Sequence, residues 1–535
     1  MGAWYIGSES SGNNIADLLN NRSNDYHSDG TELQIYSAIT YELDGTICVN
    51  MNISDYYERV SMRLSEVLDA SGLKDDLRWR RINTWLQTEE LEKIWHAIAD
   101  PGVRLYYFGS QTEATTTPGL SSDIDKVVFI HHYVVLKDIQ FWQPSLETET
   151  IFLMVADEST PPGYVKFQLV QRDEPMPVYN YQFGYVFLDS EGRSVLSNRC
   201  FPEVSGNLLG NLSVQFDQHG PAVTTLRTGM SLDLVYAIPS RCWPDQGFRW
   251  MSRSRKYNWP TRPMMDVIMK TVVFFVPVGL RISPEQHLEW RLSFSFAEKL
   301  LIMQFNSTQY KCYVMLKLIK NTFLNVNTVE TVLTSYHCKT CMFYLIENTR
   351  ASLWHPRNLM LCIDVCLKQL LTWIQCANCP NYFVPDENMF LCKLRGPAQK
   401  KIANILQDLL SQNGKYITTI RYENIGENVA RAYPSLGMNL RCPDENIILQ
   451  TIGHLENILH FFCLYCVSFH LSNVSVLKSR YGPRREIGNI VRLIFCSVLG
   501  NHLASQSLQQ QMYNHENLIV ANELLRWGSS SDVAA

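Results

Sequence analysis

The chain has 535 residues, of which 46% are hydrophobic and 19% charged. That mixture suits several globular units of about 150 residues each and excludes a globally disordered polymer. With 47 Lys and Arg against 52 Asp and Glu the formal charge is -5, which excludes a wholly basic nucleic-acid binder but leaves room for a local basic face. The 15 cysteines are scattered through apolar segments rather than spaced as a disulfide framework, so free buried thiols are expected. Met1 to Ile6 lack the basic start and apolar core of a signal peptide, and Ile6 stands where myristoylation wants Ser or Thr. An intracellular, reducing location, cytoplasmic or nuclear, is the expectation.

Residues 1–52, rich in Ser, Asn, Asp and Gly, read as a loose N-terminal segment. A helix is predicted from Asp55, where Tyr57, Val60, Leu64, Val67 and Leu68 recur at three- and four-residue steps. Asp55 followed by Glu58 resembles a capping box. A basic cluster, Arg78-Trp79-Arg80-Arg81, leads into a second helix near 83–98. Short β-branched or aromatic runs follow: Val103 to Phe108, Lys126 to His131, Ile151 to Val155, Val165 to Val170, Tyr181 to Leu188 and Leu232 to Ile238. From about residue 284 to 395 the pattern is helical with few turn signals. The expected fold class is therefore α+β and bilobal, a mixed twisted sheet over residues 53–283 and a helical lobe over 284–401. Residues 402–535 form a C-terminal extension with a polar linker and further apolar helical segments. Within it, Ile458 to Leu477 is long enough for a bilayer. His460, His470 and Asn473 would be costly in lipid, so a buried or partner-docking helix is favoured and no membrane span is expected.

The most informative stretch is Tyr107-Phe108-Gly109-Ser110-Gln111-Thr112-Glu113, running on to Pro118-Gly119-Leu120-Ser121-Ser122-Asp123-Ile124-Asp125. A strand ends in Gly-Ser, and a second strand carries two acids. Two residues apart on a strand, Asp123 and Asp125 would leave the same face. A third acid, Asp233, alternates with Leu232 and Leu234 on a later strand. Three such carboxylates suit two divalent cations about 3.5–4 Å apart, Mg2+ or Mn2+, serving phosphoryl transfer. Gly109 and Ser110 would offer close backbone approach and amide donors to a triphosphate. An isolated D-x-D pair is more often a solvated strand face; the ordered series favours the metal reading.

This series resembles the nucleotidyltransferase signature of the male-abnormal-21-like proteins, the family that includes cyclic GMP–AMP synthase and the cGAS-like receptors. The likeness continues through Trp243-Pro244, Trp250, Arg253-Ser254-Arg255, Trp259-Pro260, Glu289-Trp290-Arg291-Leu292-Ser293-Phe294-Ser295 with Glu298, and Ser335-Tyr336-His337-x-Lys339-Thr340. It ends near Asn381-Tyr382-Phe383-Val384-Pro385 with Asn388 and covers roughly residues 55–395. The resemblance implies a nucleotidyltransferase fold in which Asp123, Asp125 and Asp233 bind metal and Ser110, beside Gly109, contacts phosphate. By the same likeness Arg291, Ser293, Ser295 and Glu298 lie on a helix near the bases, Lys317 contacts phosphate or base, and Tyr336, after Ser335, stacks on a base. The substrates it implies are ATP and GTP or other nucleoside triphosphates, and the product a cyclic dinucleotide that serves innate immune sensing.

Two departures from the family pattern matter. The segment Lys299 to Lys311 contains neither His nor Cys, so the zinc knuckle of the vertebrate DNA-sensing enzyme is missing and double-stranded RNA or another nucleic acid becomes the expected activator. The extension beyond about residue 400 has no counterpart in the matched pattern. The pairs Cys338-x-x-Cys341, Cys376-x-x-Cys379 and Cys463-x-x-Cys466 have zinc-like spacing, yet they lie in apolar helical runs where the same spacing marks a buried face; core packing is favoured and no structural zinc is expected. Candidate ligand-contact clusters are Arg78, Arg80 and Arg81; Arg253, Arg255 and Lys256; Lys393, Arg395, Lys400 and Lys401; and Arg480, Arg484 and Arg485. The first of these is the preferred nucleic-acid contact. An inactive developmental or scaffold relative, or an enzyme forming linear oligonucleotides, remains the alternative.

Overall fold

A computed structural model describes residues 55–431, apart from internal stretches such as 143–149, 201–215 and 325–331, together with Ile39–Tyr41 and Ile47–Val49. The last two are strands β1 and β2, which pair with each other. Helices α1 (Asp55–Leu68) and α2 (Asp75–Ala99) follow. The expected spacing on α1 holds, since Tyr57, Val60, Leu64, Val67 and Leu68 are all buried.

The large sheet contains twelve strands among the described residues. The part that carries the candidate site residues is β3 (Val103–Phe108), β4 (Ile124–Ile130) and β12 (Met230–Ser240), with β11 (Ala222–Arg227) beside β12. Strands β3 and β4 run antiparallel, whereas β4 and β12 run parallel. The strands between them in sequence are β5 (Tyr133–Leu136), β6 (Thr150–Val155), β7 (Tyr164–Leu169), β8 (Val186–Leu188), β9 (Ser194–Leu196) and β10 (Phe216–His219). Of the run expected to be extended from Tyr181, only Val186–Leu188 is a strand. The long strand β12 pairs with β11 along its first half and with β13 (Val273–Val276) at its end. Strand β14 (Trp290–Ser293) then joins β13 to β7.

That last strand corrects the expectation that Arg291 and Ser293 lie on a helix. Trp290 and Leu292 are buried while Arg291 and Ser293 alternate with them at partial exposure, which is the period of two that a pleated strand imposes. The short helical turn α3 (Gly109–Thr112) and helices α4 (Asp245–Ser252) and α5 (Arg262–Ile268) decorate the sheet. The helical lobe comprises α6 (Ser295–Met303), α7 (Ser307–Ile319), α8 (Ser335–Asn348), α9 (Leu359–Gln375), α10 (Gly396–Ser411) and α11 (Ile425–Ala430).

One hydrophobic cluster runs from Tyr57 on α1 through Trp290 and the α7–α9 helices to Val429, so both lobes share a core. Trp243 stacks on Trp250 at 5.8 Å between centroids, and Phe383 of the helical lobe packs on Trp250 and on Phe294. The boundary expected at residue 402 falls inside α10, and Tyr416 beyond it donates to Asp364 Oδ1 of α9 at 3.3 Å. The described part of the extension is thus packed against the helical lobe. Residues 458–477, Cys463, Cys466, Arg480, Arg484 and Arg485 lie outside the described residues. No helix among the described residues is long and apolar enough to cross a membrane.

Candidate active site

Strand β3 ends at Phe108, opposite Asp125 on β4, and the chain turns at Gly109 with φ +78°. A side chain there would be strained and would also collide, because its Cβ would lie 1.7 Å from Asp125 Oδ2. The glycine therefore lets the backbone close onto the carboxylate. The register of the parallel pair sets Asp233 directly beside Asp125. Asp123, expected on the strand, instead stands one residue before β4 and is exposed, because Pro118–Leu120 form a tight turn and the chain becomes extended only at Ile124. Burial, then the negative charge of Asp233, Glu113 and Asp123, pushes the Asp125 carboxyl up to about 7, with Lys339 opposing. Unbalanced negative charge at carboxylate oxygens matches the preference of hard divalent cations. In this conformation no three His, Cys, Asp or Glu groups among the described residues are disposed to hold one metal ion.

Lys317 on α7 reaches the turn from the helical lobe. Its Nζ donates to Ser110 Oγ at 2.6 Å and to Thr115 O at 2.7 Å. Burial pulls this ammonium down to about 7, with Glu113 opposing and Lys339 adding to the fall.

A second group of side chains gathers on α6, α8 and β14. Tyr336 donates to Glu298 Oε1 at 3.0 Å, and the Ser293 and Ser295 hydroxyls share a hydrogen bond of 2.7 Å. The charge of Arg291 bears on Tyr336, Glu387 and Lys393. Ser335 opens α8 beside Tyr336. The two groups are joined by Lys339, whose ammonium bonds Glu113 Oε1 at 2.8 Å and Glu298 Oε2 at 3.3 Å. Burial disfavours its charge, yet Glu113 and Glu298 more than offset this and hold its pKa above the usual range. Glu113 Oε2 is buried and accepts no hydrogen bond among the described residues. Glu113 and Lys339 stand in the quoted motifs, but sequence reasoning gave neither a role; the available signal was a lysine set among Cys338, Cys341, Met342 and Phe343.

The preferred basic cluster is corrected. Arg78 is buried, donates to Phe305 O at 2.8 Å and Ile302 O at 2.7 Å, and lies over Tyr310. It closes the C-terminal end of α6, where free carbonyls need donors. Arg81 donates to Ala114 O and Thr116 O, leaving only Arg80 exposed. Arg253 is likewise engaged, with Glu347 at 2.7 Å and over Tyr382, while Arg255 donates to the Trp250 carbonyl. Lys393, Lys400 and Lys401 are exposed. Cys338 and Cys341 are buried on α8, and Cys341 Sγ donates to Cys366 O. Where the zinc knuckle is missing, Asn306 caps α7 by accepting from Gln309 N at 2.9 Å. A hollow lined by Asp55, Glu58, Arg59, Met62, Arg63 and Glu66 lies on α1 and gathers none of the site residues.

Residues 308–409 match the domain described as the Mab-21 protein HhH/H2TH-like domain. The cyclic GMP-AMP synthase of Sus scrofa is 26% identical over 192 residues, 32% of this chain and 38% of that protein. The cyclic GMP-AMP synthase of Mus musculus is 26% identical over 254 residues, 42% of this chain and 47% of that protein. The chain thus spans less than half the length of these curated relatives. The matched helical segment, the mixed sheet packed against it and these relatives support a likeness to the Mab-21/cGAS-like family.

Proposed function

We propose that the protein is a metal-dependent nucleotidyltransferase that joins nucleoside triphosphates, ATP and GTP or others, into a cyclic dinucleotide and is switched on by a nucleic acid such as double-stranded RNA. The observation that carries this reading is the pair Asp125 and Asp233, register-matched on parallel strands beside the Gly109-Ser110 turn. The donor chemistry suits Mg2+ or Mn2+, with Asp125, Asp233 and Asp123 as the holding groups. Such an ion, when bound, would lower the pKa of a ribose hydroxyl and neutralise charge gathering on the leaving phosphate. The chain's own residues would position the reactants, which supplies much of the rate in phosphoryl transfer. Lys317 and Ser110, already hydrogen-bonded, are set to receive phosphate oxygens. Tyr336 offers a ring face for a base, and Glu298, held by Tyr336 and Lys339, offers an acceptor for a base edge.

The test is pyrophosphate release from purified protein given triphosphates, Mn2+ and a panel of nucleic acids, with product mass and phosphatase resistance measured. A cyclic product resists phosphatase; a linear oligonucleotide does not. Asp125→Asn and Asp233→Asn are expected to abolish product while the folded protein persists. Equal product from either variant overturns the proposal. A second reading, a scaffold that keeps the fold without turnover, draws on the exposed Asp123 outside its strand and on the lack of a three-ligand cluster in this conformation; it predicts no pyrophosphate under any condition.

A further inference from the structure

Glu423 and Gly119 are 304 positions apart, yet Glu423 Oε1 accepts a hydrogen bond of 2.6 Å from the Gly119 amide. Gly119 lies in the Pro118–Leu120 turn, four residues before Asp123. The Tyr422 ring covers the same turn, coming within 3.4 Å of the place a Cβ at Gly119 would occupy, and Glu423 Oε1 comes within 2.8 Å of it. The contact is built into the backbone. Glu423 and Asn424 take φ of +49° and +54° in succession, a left-handed pair that residues bearing Cβ adopt rarely and keep only when their surroundings demand it.

Those surroundings are buried and hydrogen-bonded. Ile417, Ile420, Ile425 and Val429 are buried in the shared core, and Tyr416 is bonded to Asp364. The Gly426 amide donates to Ile420 O at 2.9 Å, and a Cβ there would lie 2.3 Å from Thr418 O, so the chain doubles back closely before α11. The other end of the Asp123 loop is held from elsewhere. Arg81, Tyr310 and Lys317 bind the carbonyls of Ala114, Thr115 and Thr116, and Gln111 donates to Ser122 O. Glu423 is the group from outside these elements that grips the middle of the loop.

We infer that the segment Lys415–Ala430 is a clamp on the loop that delivers Asp123, with Glu423 as a positioning residue for the metal-binding carboxylates. This rests on the nucleotidyltransferase reading above only for its effect on activity; the mechanical coupling stands apart from it.

The experiment compares the full chain with Glu423→Ala, Glu423→Gln, Gly119→Ala and the double variant Glu423→Ala with Gly119→Ala. Hydrogen exchange is followed in the peptide covering 116–123, and product formation is titrated with Mn2+. Because the Gly119–Glu423 bond is exposed to solvent, its loss corresponds to the ordinary hydrogen-bond range, about a threefold to tenfold change. Glu423→Ala is expected to speed exchange at Gly119 by about that factor. It should raise the Mn2+ concentration giving half-maximal rate by a similar factor, with the triphosphate KM little changed. Glu423→Gln keeps an acceptor and is expected to restore most of the protection. The double variant should be no worse than Glu423→Ala alone, because both changes remove one contact. Unchanged exchange in Glu423→Ala overturns the clamp. A rate loss that tracks only the folded fraction, with an unaltered Mn2+ dependence, overturns the positioning role of Glu423. If Glu423→Ala does not fold, Gly119→Ala carries the same two readouts. Should the wild-type chain yield no product at all, the proposed activity falls while the exchange result still decides the clamp.

Discussion

Asp364 sits on α9 with 1% of its surface exposed, accepting from Tyr57 Oη at 2.7 Å and from Tyr416 Oη at 3.3 Å. Burial pushes its carboxyl up to about 7, against the pull of the two tyrosine hydrogen bonds. The unfolded value is about 3.9. A raised folded pKa means that the native state binds the proton more tightly than the unfolded chain, so the stabilisation is complete below about pH 4 and lost as pH rises through about 7. Three pH units at about 1.4 kcal/mol each set an upper bound of about 4 kcal/mol. Asp364→Asn mimics the neutral acid at every pH. Urea unfolding should therefore show the variant more stable than wild type by up to about 4 kcal/mol at pH 8, with the two curves converging near pH 4. If the variant is less stable at pH 8, or the gap does not change with pH, the carboxylate is not the source of a buried-charge penalty and the reasoning fails.

Arg78→Leu removes a buried guanidinium from two carbonyls and is expected to cost about 2–4 kcal/mol in denaturant unfolding, while nucleic-acid affinity measured by filter binding stays unchanged. Gly109→Ala forces a strained φ and drives a methyl into Asp125; a stability loss of about 1–2 kcal/mol from the backbone alone and at least a tenfold loss of product are expected, by unfolding and by pyrophosphate release. Tyr336→Phe should keep most activity and Tyr336→Ala should lose about 1–3 kcal/mol of base stacking, read as a raised triphosphate KM.

Much of this arrangement was legible in the residues. The 3.6-residue period of α1 and the apolar runs of β3, β4, β6, β7 and β12 gave those elements nearly to their ends, because their apolar residues follow the period or run that burial in the core requires. The Gly-Ser turn and the acids at 125 and 233 were visible as breaks in apolar runs. Periodicity did not reveal Trp290–Ser293, a four-residue strand too short to separate from the helix that follows it. Nor could charge clustering distinguish Arg78 from a ligand-contact residue, since its partners are carbonyls more than 220 positions away. The same limit hid Glu113 and Lys339, whose pairing spans 226 positions. A side chain's own neighbours in sequence say little about a partner brought by the fold.

The register of β12 carries one further consequence. Its pairing with β11 closes at Arg227 opposite Met230, and the strand runs on unbroken to place Asp233 beside Asp125. Side chains alternate faces along a strand, so adding or deleting one residue in that hairpin would turn Asp233 away from Asp125 and send its apolar neighbours to the wrong side. Length changes among natural variants should consequently collect in other connections and spare this one.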